Sequence, residues 1–115
     1  MGRIIHVEIV AEDHDRAAEF YTKVFNWQVT PAPVPDGYLL AQTGPGEGID
    51  GAIMSSRHQS QPTIAWIEVD DLAATLEAAR TAGGTPVGEI QELPGIGRLS
   101  YLRDTEGVLI GLRET

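Results

Sequence analysis

The chain repeats itself, and the repeat leaves few folds open. Arg3 to Trp27 reads as a strand, a tight acidic junction and an amphipathic helix. Pro62 to Pro86 gives the same order: apolar strand, acidic junction, helix, glycine-marked stop. Setting His6 on Ile64 fixes the register. Ile9 then falls on Ile67, Glu12 on Asp70, Asp13 on Asp71 and Ala18 on Leu76. Each copy is followed by short strands broken by Gly and Pro. A chain built this way is two similar supersecondary units, each needing a partner layer for one apolar face.

In the first copy Ile4, His6, Glu8 and Val10 share one strand face and Ile5, Val7 and Ile9 the other, because side chains alternate along a strand. The aliphatic face suits packing under a helix. The face with two ionisable groups suits a cavity or solvent. Glu12 and Asp13 open the helix, where carboxylates complement the N-terminal dipole. Ala17, Phe20, Tyr21, Val24 and Phe25 then recur at helical spacing and predict a stripe lying on a sheet. The helix stops near Asn26. Strands follow at Trp27–Pro33, Tyr38–Thr43 and Ile49–Met54, separated by turns at Pro35-Asp36-Gly37 and Gly44-Pro45-Gly46. Ser55–Gln61 is polar and aperiodic, a linker.

The second copy starts with a strand at Thr63–Val69. Asp71 caps a helix running to about Ala82, and Gly83-Gly84 ends it. Pro86–Gln91 is a strand. Arg98–Arg103 and Val108–Arg113 form a hairpin across Asp104-Thr105-Glu106-Gly107. The expected fold is α+β: one domain over 1–115 of two βαβββ modules, about 1–54 and 63–115, joined at about 55–62. Two curved mixed sheets, each with a helix on its back, are expected to frame a concave groove.

Composition narrows the function. The 115 residues suffice for one domain with a core. No run is apolar enough to span a membrane, and the N-terminus has no basic region followed by an apolar one, so no signal peptide is expected. Zero cysteines exclude disulfides, zinc–thiolate sites and a Cys nucleophile. A cytoplasmic protein is the default. A net charge of −9 with scattered Lys and Arg argues against nucleic acid. There is no Ser-His-Asp order, phosphate-binding glycine loop or calcium loop.

His6-Val7-Glu8-Ile9, Asp13 and Phe20-Tyr21, with the closing Asp104-Thr105-Glu106-Gly107-Val108-Leu109-Ile110-Gly111-Leu112, resemble the vicinal oxygen chelate superfamily of glyoxalase I, bleomycin-resistance proteins and extradiol dioxygenases. Thr105 stands where that hairpin commonly has Pro. The resemblance covers essentially the whole chain and is specific for the fold rather than the reaction. It implies two βαβββ modules and, in part, a homodimer, which would also cover strand edges and an apolar flank. In metal-dependent members it implies His or Gln on the first strand of each module and carboxylates on the last strands. Here His6 fits the first position. Ile64 takes its equivalent, Ile53 or Met54 the last-strand place of module one, and Gly111 that of module two. A catalytic ion needs several converging ligands. A divalent metal held through His6 is therefore disfavoured, no cofactor is expected, and neither stoichiometric metal nor methylglyoxal–glutathione lyase activity is expected.

The candidate catalytic residues are His6 and Glu8. His6 is either a hydrogen-bonded residue at the groove rim or a general acid/base, since imidazole titrates near neutrality. Glu8 is either a solvated or Arg-paired carboxylate or a base whose pKa a partly apolar groove raises. Glu68 is a further carboxylate on the groove face and a conceivable third metal ligand. Candidate ligand-binding residues are Trp66, Glu68, Tyr38, Tyr101 and Arg98. Trp66 occupies the place of Glu8 in module two, and Trp there reads as core or as ligand platform. Tyr101 faces the groove or the helix. Arg98 is an anion clamp or a solvated charge. Three functions remain: a metal-free small-molecule-binding protein of the bleomycin-resistance type, an enzyme of the same fold (a lyase, isomerase or dioxygenase) using His6 and Glu8, and a non-catalytic interaction subunit.

Overall fold

A computed structural model describes residues 2–33 and 37–115. Among these, eight strands and two helices follow each other as βαβββ twice. In the first module β1 (Arg3–Ala11) leads to α1 (His14–Phe25), β2 (Gln28–Pro31), β3 (Tyr38–Gln42) and β4 (Gly51–Ser55). The strand order is β2-β3-β4-β1, with β1 parallel to β4 and the other neighbours antiparallel. In the second, β5 (Thr63–Glu68) leads to α2 (Leu72–Thr81), β6 (Thr85–Leu93), β7 (Gly97–Arg103) and β8 (Leu109–Glu114). The order is β6-β7-β8-β5, with β5 parallel to β8. The fold is α+β, as the sequence predicts. The chain divides into two compact units, His6–Ile64 and Ala65–Thr115 with the residues before His6. The turn expected at Pro35-Asp36-Gly37 falls, at Pro35 and Asp36, outside the described residues. No helix among the described residues is long and apolar enough to cross a membrane.

The helix ends form where the capping chemistry is. Asp13 is extended and its carboxylate accepts the Arg16 N–H at 2.9 Å; Asp71 does the same for Ala74 at 3.0 Å. Asn26 closes α1 at φ 62°, a left-handed conformation that Asn tolerates. A second carboxylate, Glu114 of β8, accepts the Leu72 N–H at 2.6 Å and so ties the last strand to the start of α2. On the outside of α1 a side-chain hydrogen bond from Lys23 lowers the Glu19 pKa and raises its own.

The two helices pack differently. Leu72 and Leu76 of α2 are 0% and 7% exposed and meet Leu102 and Leu112 of the sheet, with Ile67, Val69, Ala79, Ile90 and Ile110 around them. The repeat register and the strand pairings put His14, Ala18, Ala41 and Ile53 at the corresponding places of the first module. One ring and two small side chains thus stand where the second module has three leucines. Accordingly α1 lies against β4, β3 and β2 with no residue fully buried. The predicted stripe does not lie wholly on the sheet. Phe20, Val24 and Phe25 are 55–56% exposed. Tyr21 instead stacks on Trp27, with ring centroids 4.8 Å apart and planes 6° from parallel.

Leu76→Ala should therefore cost about 2–5 kcal/mol, whereas Val24→Ala on the open side of α1 should stay within about 0.5 kcal/mol. Urea denaturation of the two variants beside the parent chain measures this.

Candidate functional site

Pairing fixes which side chains share a face. In the first module Glu8 lies beside Ala52 and Leu40, and Val10 beside Met54 and Tyr38. His6, Glu8, Val10, Ala52, Met54, Tyr38 and Leu40 therefore project from one side of the sheet. Val7, Ile9, Gly51, Ile53, Leu39 and Ala41 project from the side of α1. The division of β1 into an ionisable and an aliphatic face is as its alternation predicts.

On the ionisable face Glu8 is only 3% exposed. A carboxylate buried to this degree needs hydrogen-bond donors. Tyr38 supplies one: its hydroxyl donates to Glu8 Oε2 at 2.7 Å. The phenolic oxygen also lies 3.1 Å from His6 Nε2. A phenol has one proton, and here it is committed to Glu8. His6 Nε2 must then carry a proton and donate it to the Tyr38 oxygen. The three groups form a directed chain, His6 Nε2–H to Tyr38 O–H to Glu8. Tyr38, taken from the sequence only as a ligand contact, is the link between the two proposed acid/base residues. It reaches them because β4 lies between β3 and β1.

The second module carries a different face. Trp66, Gly111 and Tyr101 lie in one row, and Glu68, Arg113 and Leu99 in the next. Tyr101 thus faces the Trp66 side and not α2, and the two rings meet edge to face at 5.1 Å. Trp66 is 7% exposed. Its ring covers Gly111 so closely that a Cβ there would overlap the six-membered ring. Glu68 pairs with Arg113 at 3.5 Å. Trp66 Nε1 and Arg113 Nε are buried donors with no hydrogen-bond acceptor among the described residues. Arg98 lies on the other face, 3.2 Å from Glu114 and 3.9 Å from Glu92. The structure therefore groups Trp66, Tyr101 and Glu68, and leaves Arg98 on the helix side.

These placements test the fit of a divalent ion. The partner of Glu8 on β4 is Ala52, which sets that last-strand position there rather than at Ile53 or Met54. The equivalent partner of Trp66 on β8 is Gly111. Ile64, the counterpart of His6, is fully buried. Among the described residues no three His, Asp or Glu side chains converge. The donor set does not fit the metal pattern, and in the second module the Trp66 ring fills the space a carboxylate on β8 would need.

Two βαβββ modules with this strand order and an ionisable face on the first strand define the class. The family model for the Glyoxalase/Bleomycin resistance protein/Dioxygenase superfamily matches residues 3–112, and the chain belongs to that superfamily. It is 34% identical over 113 residues to a glyoxylase-like domain-containing protein of Didymella fabae, covering 92% of this chain and 88% of the relative. It is 31% identical over 124 residues to a probable lactoylglutathione lyase of Vibrio parahaemolyticus, covering 96% and 89%. Among solved structures, methylmalonyl-CoA epimerase of Mycobacterium tuberculosis superposes with a TM-score of 0.72 at 23% identity, over 96% of this chain and 86% of that one. At that identity the likeness is one of fold.

Two substitutions probe the two faces. Tyr38→Phe removes the donor to a buried carboxylate and should lower stability by about 1–3 kcal/mol. Gly111→Ala should cost about 1–3 kcal/mol by overpacking against Trp66, and most of that cost should vanish in a Trp66→Ala background. A double-mutant cycle followed by thermal denaturation measures the coupling.

Proposed function

We propose that this chain is a small-molecule-binding member of the superfamily that works without a divalent metal, and that His6, Tyr38 and Glu8 form its polar centre. The observation that supports this is the hydrogen-bonded chain ending on a buried carboxylate. A half-buried imidazole and a buried carboxylate joined through one phenol are costly to maintain. They are more useful as an orienting centre for a polar ligand than as packing. Taken by itself, the second module presents the aromatic pair Trp66 and Tyr101, which suits a flat or apolar ligand. The buried donors Trp66 Nε1 and Arg113 Nε of that module favour oxygen acceptors there. A bleomycin-type role agrees with this reading. Native mass spectrometry of the protein as purified identifies the ligand, and calorimetry with it tests the centre. Glu8→Gln and Tyr38→Phe should each weaken binding roughly 10- to 100-fold, and Arg98→Ala should leave it unchanged. Unaltered affinity in both centre variants overturns the reading.

A second reading, an acid/base enzyme, is favoured by the polarity of the same chain. When His6 is an imidazolium, its Nε2 proton can pass to the Tyr38 oxygen as the Tyr38 proton passes to Glu8. That leaves neutral imidazole and a carboxylic acid with every heavy atom in place. Such a relay suits proton transfer to or from a bound substrate. The relative named as a probable lactoylglutathione lyase makes methylglyoxal with glutathione a direct substrate test. We expect no stoichiometric nickel or zinc after dialysis and no lyase activity with either metal added. One tightly held ion per chain, lost in His6→Ala, would move this second reading ahead of the first.

The exposed Phe20, Val24 and Phe25 side of α1 also supports the homodimer reading. Light scattering at micromolar concentration should give a dimer; a monomer counts against it.

A further inference from the structure

The first module has a cleft of about 200 Å³ on the α1 side of its sheet, away from the face that carries Glu8. Its walls are Val7, Ile9, Trp27, Ala41, Ile49 and Gly51, with Ala52 next to Gly51 and Thr43 and Asp50 at the polar end. The repeat explains why space exists there. Ala41 and Gly51 are paired neighbours on β3 and β4. Their counterparts, Leu102 and Ile110, are paired neighbours on β7 and β8 and belong to the packed core of the second module. Two large aliphatic side chains are therefore absent from the first module at this spot. Nor can the space close by a change at Gly51, since a Cβ there would overlap the Val7 carbonyl oxygen across the parallel β1–β4 pair. Two of the remaining walls are held in place. Ala41 is 2% exposed in the sheet, and Trp27 is stacked on Tyr21. At the polar end Asp50 accepts hydrogen bonds from the Thr43 N–H at 2.9 Å and hydroxyl at 3.3 Å.

We propose that this cleft is a second binding site, for one small aromatic ring or the ring end of a larger apolar ligand. Its size admits one ring: an enclosed apolar cavity of about 150 Å³ takes up benzene, and this cleft is of similar volume but open to solvent, with its wall residue Ile49 39% exposed. The wall composition supports it as well. Aliphatic side chains line the sheet side, and an indole that is already oriented offers an edge or a face to a ring. The site is distinct from the His6–Tyr38–Glu8 centre because the two lie on opposite faces of the same sheet.

The test titrates benzene and indole into the full chain and follows amide and indole N–H resonances. Saturable shifts centred on Val7, Ile9, Ala41 and the Trp27 indole are expected. Ala41→Leu restores the side chain found at the matching place of the second module. It should weaken the apparent affinity by roughly tenfold or more while raising the thermal midpoint. Should that variant not fold, Ala41→Val should give a smaller loss in the same direction. Tyr38→Phe should leave the titration unchanged, which separates this site from the polar centre. Shifts that never saturate and spread over Phe20 and Phe25, or a titration indifferent to both Ala41 variants, would overturn the proposal.

Discussion

Each module must bury one side of a four-stranded sheet under a single short helix, and how well it does so governs everything else in the structure. The second module does it with four leucines, Leu72, Leu76, Leu102 and Leu112, all 7% exposed or less. A cluster like this contributes roughly 1.5–3 kcal/mol per side chain relative to exposure. The hydrogen bond from the Leu72 N–H to Glu114 adds to it by anchoring the helix start to β8. The first module keeps only Ile53 of that set. Its helix has capped ends and a ring cluster of Phe20, Tyr21, Phe25 and Trp27 along it, and buries no residue fully. The same backbone plan is thus filled in two ways, one dense and one with room left in it.

The polar groups divide in the same manner. Glu8 and Trp66 occupy equivalent places, two residues along the strand from His6 and Ile64 respectively and on the same face. In the first module that place holds a buried carboxylate, to which Tyr38 donates a hydrogen bond. In the second it holds an indole, which is tolerable only because the facing residue is Gly111. Each choice depends on a partner two strands or one strand away. Neither Glu8 nor Trp66 can be exchanged for the other without also changing Tyr38 or Gly111.

Much of the fold was legible in the sequence because its signals are local. Alternation in Ile4–Val10, the caps Asp13 and Asp71, and the stops at Asn26 and Gly83 act within a few residues of themselves. The offset that sets His6 on Ile64 is a property of the chain alone, and the strand pairings follow it. What was not legible depends on register across strands. The Tyr38–Glu8 hydrogen bond joins residues 30 apart in sequence, through a β3–β4–β1 alignment that no composition or period encodes. The face of Tyr101 was open for the same reason, and its pairing with Gly111 decides it. Arg98 stayed open between an anion clamp and a solvated charge because nothing in its neighbourhood points to Glu114, sixteen residues away. The aromatic stripe of α1 misled in another way. Helical spacing reports that a face is apolar, and not what covers it.

The departure from a metal-binding pattern is coupled and not a single lost ligand. A carboxylate at Gly111 would need the space now taken by Trp66. Shortening Trp66 alone would open a void beside Tyr101 and leave Gly111 still without a ligand atom. An imidazole at Ile64 would place a polar ring in a fully buried position, where it would need a hydrogen-bond partner of its own. Each reversal is unfavourable until the others are made, since the three residues occupy one contiguous face of β5 and β8. The second module presents an aromatic wall, and the hydrogen-bonded His6, Tyr38 and Glu8 belong to the first.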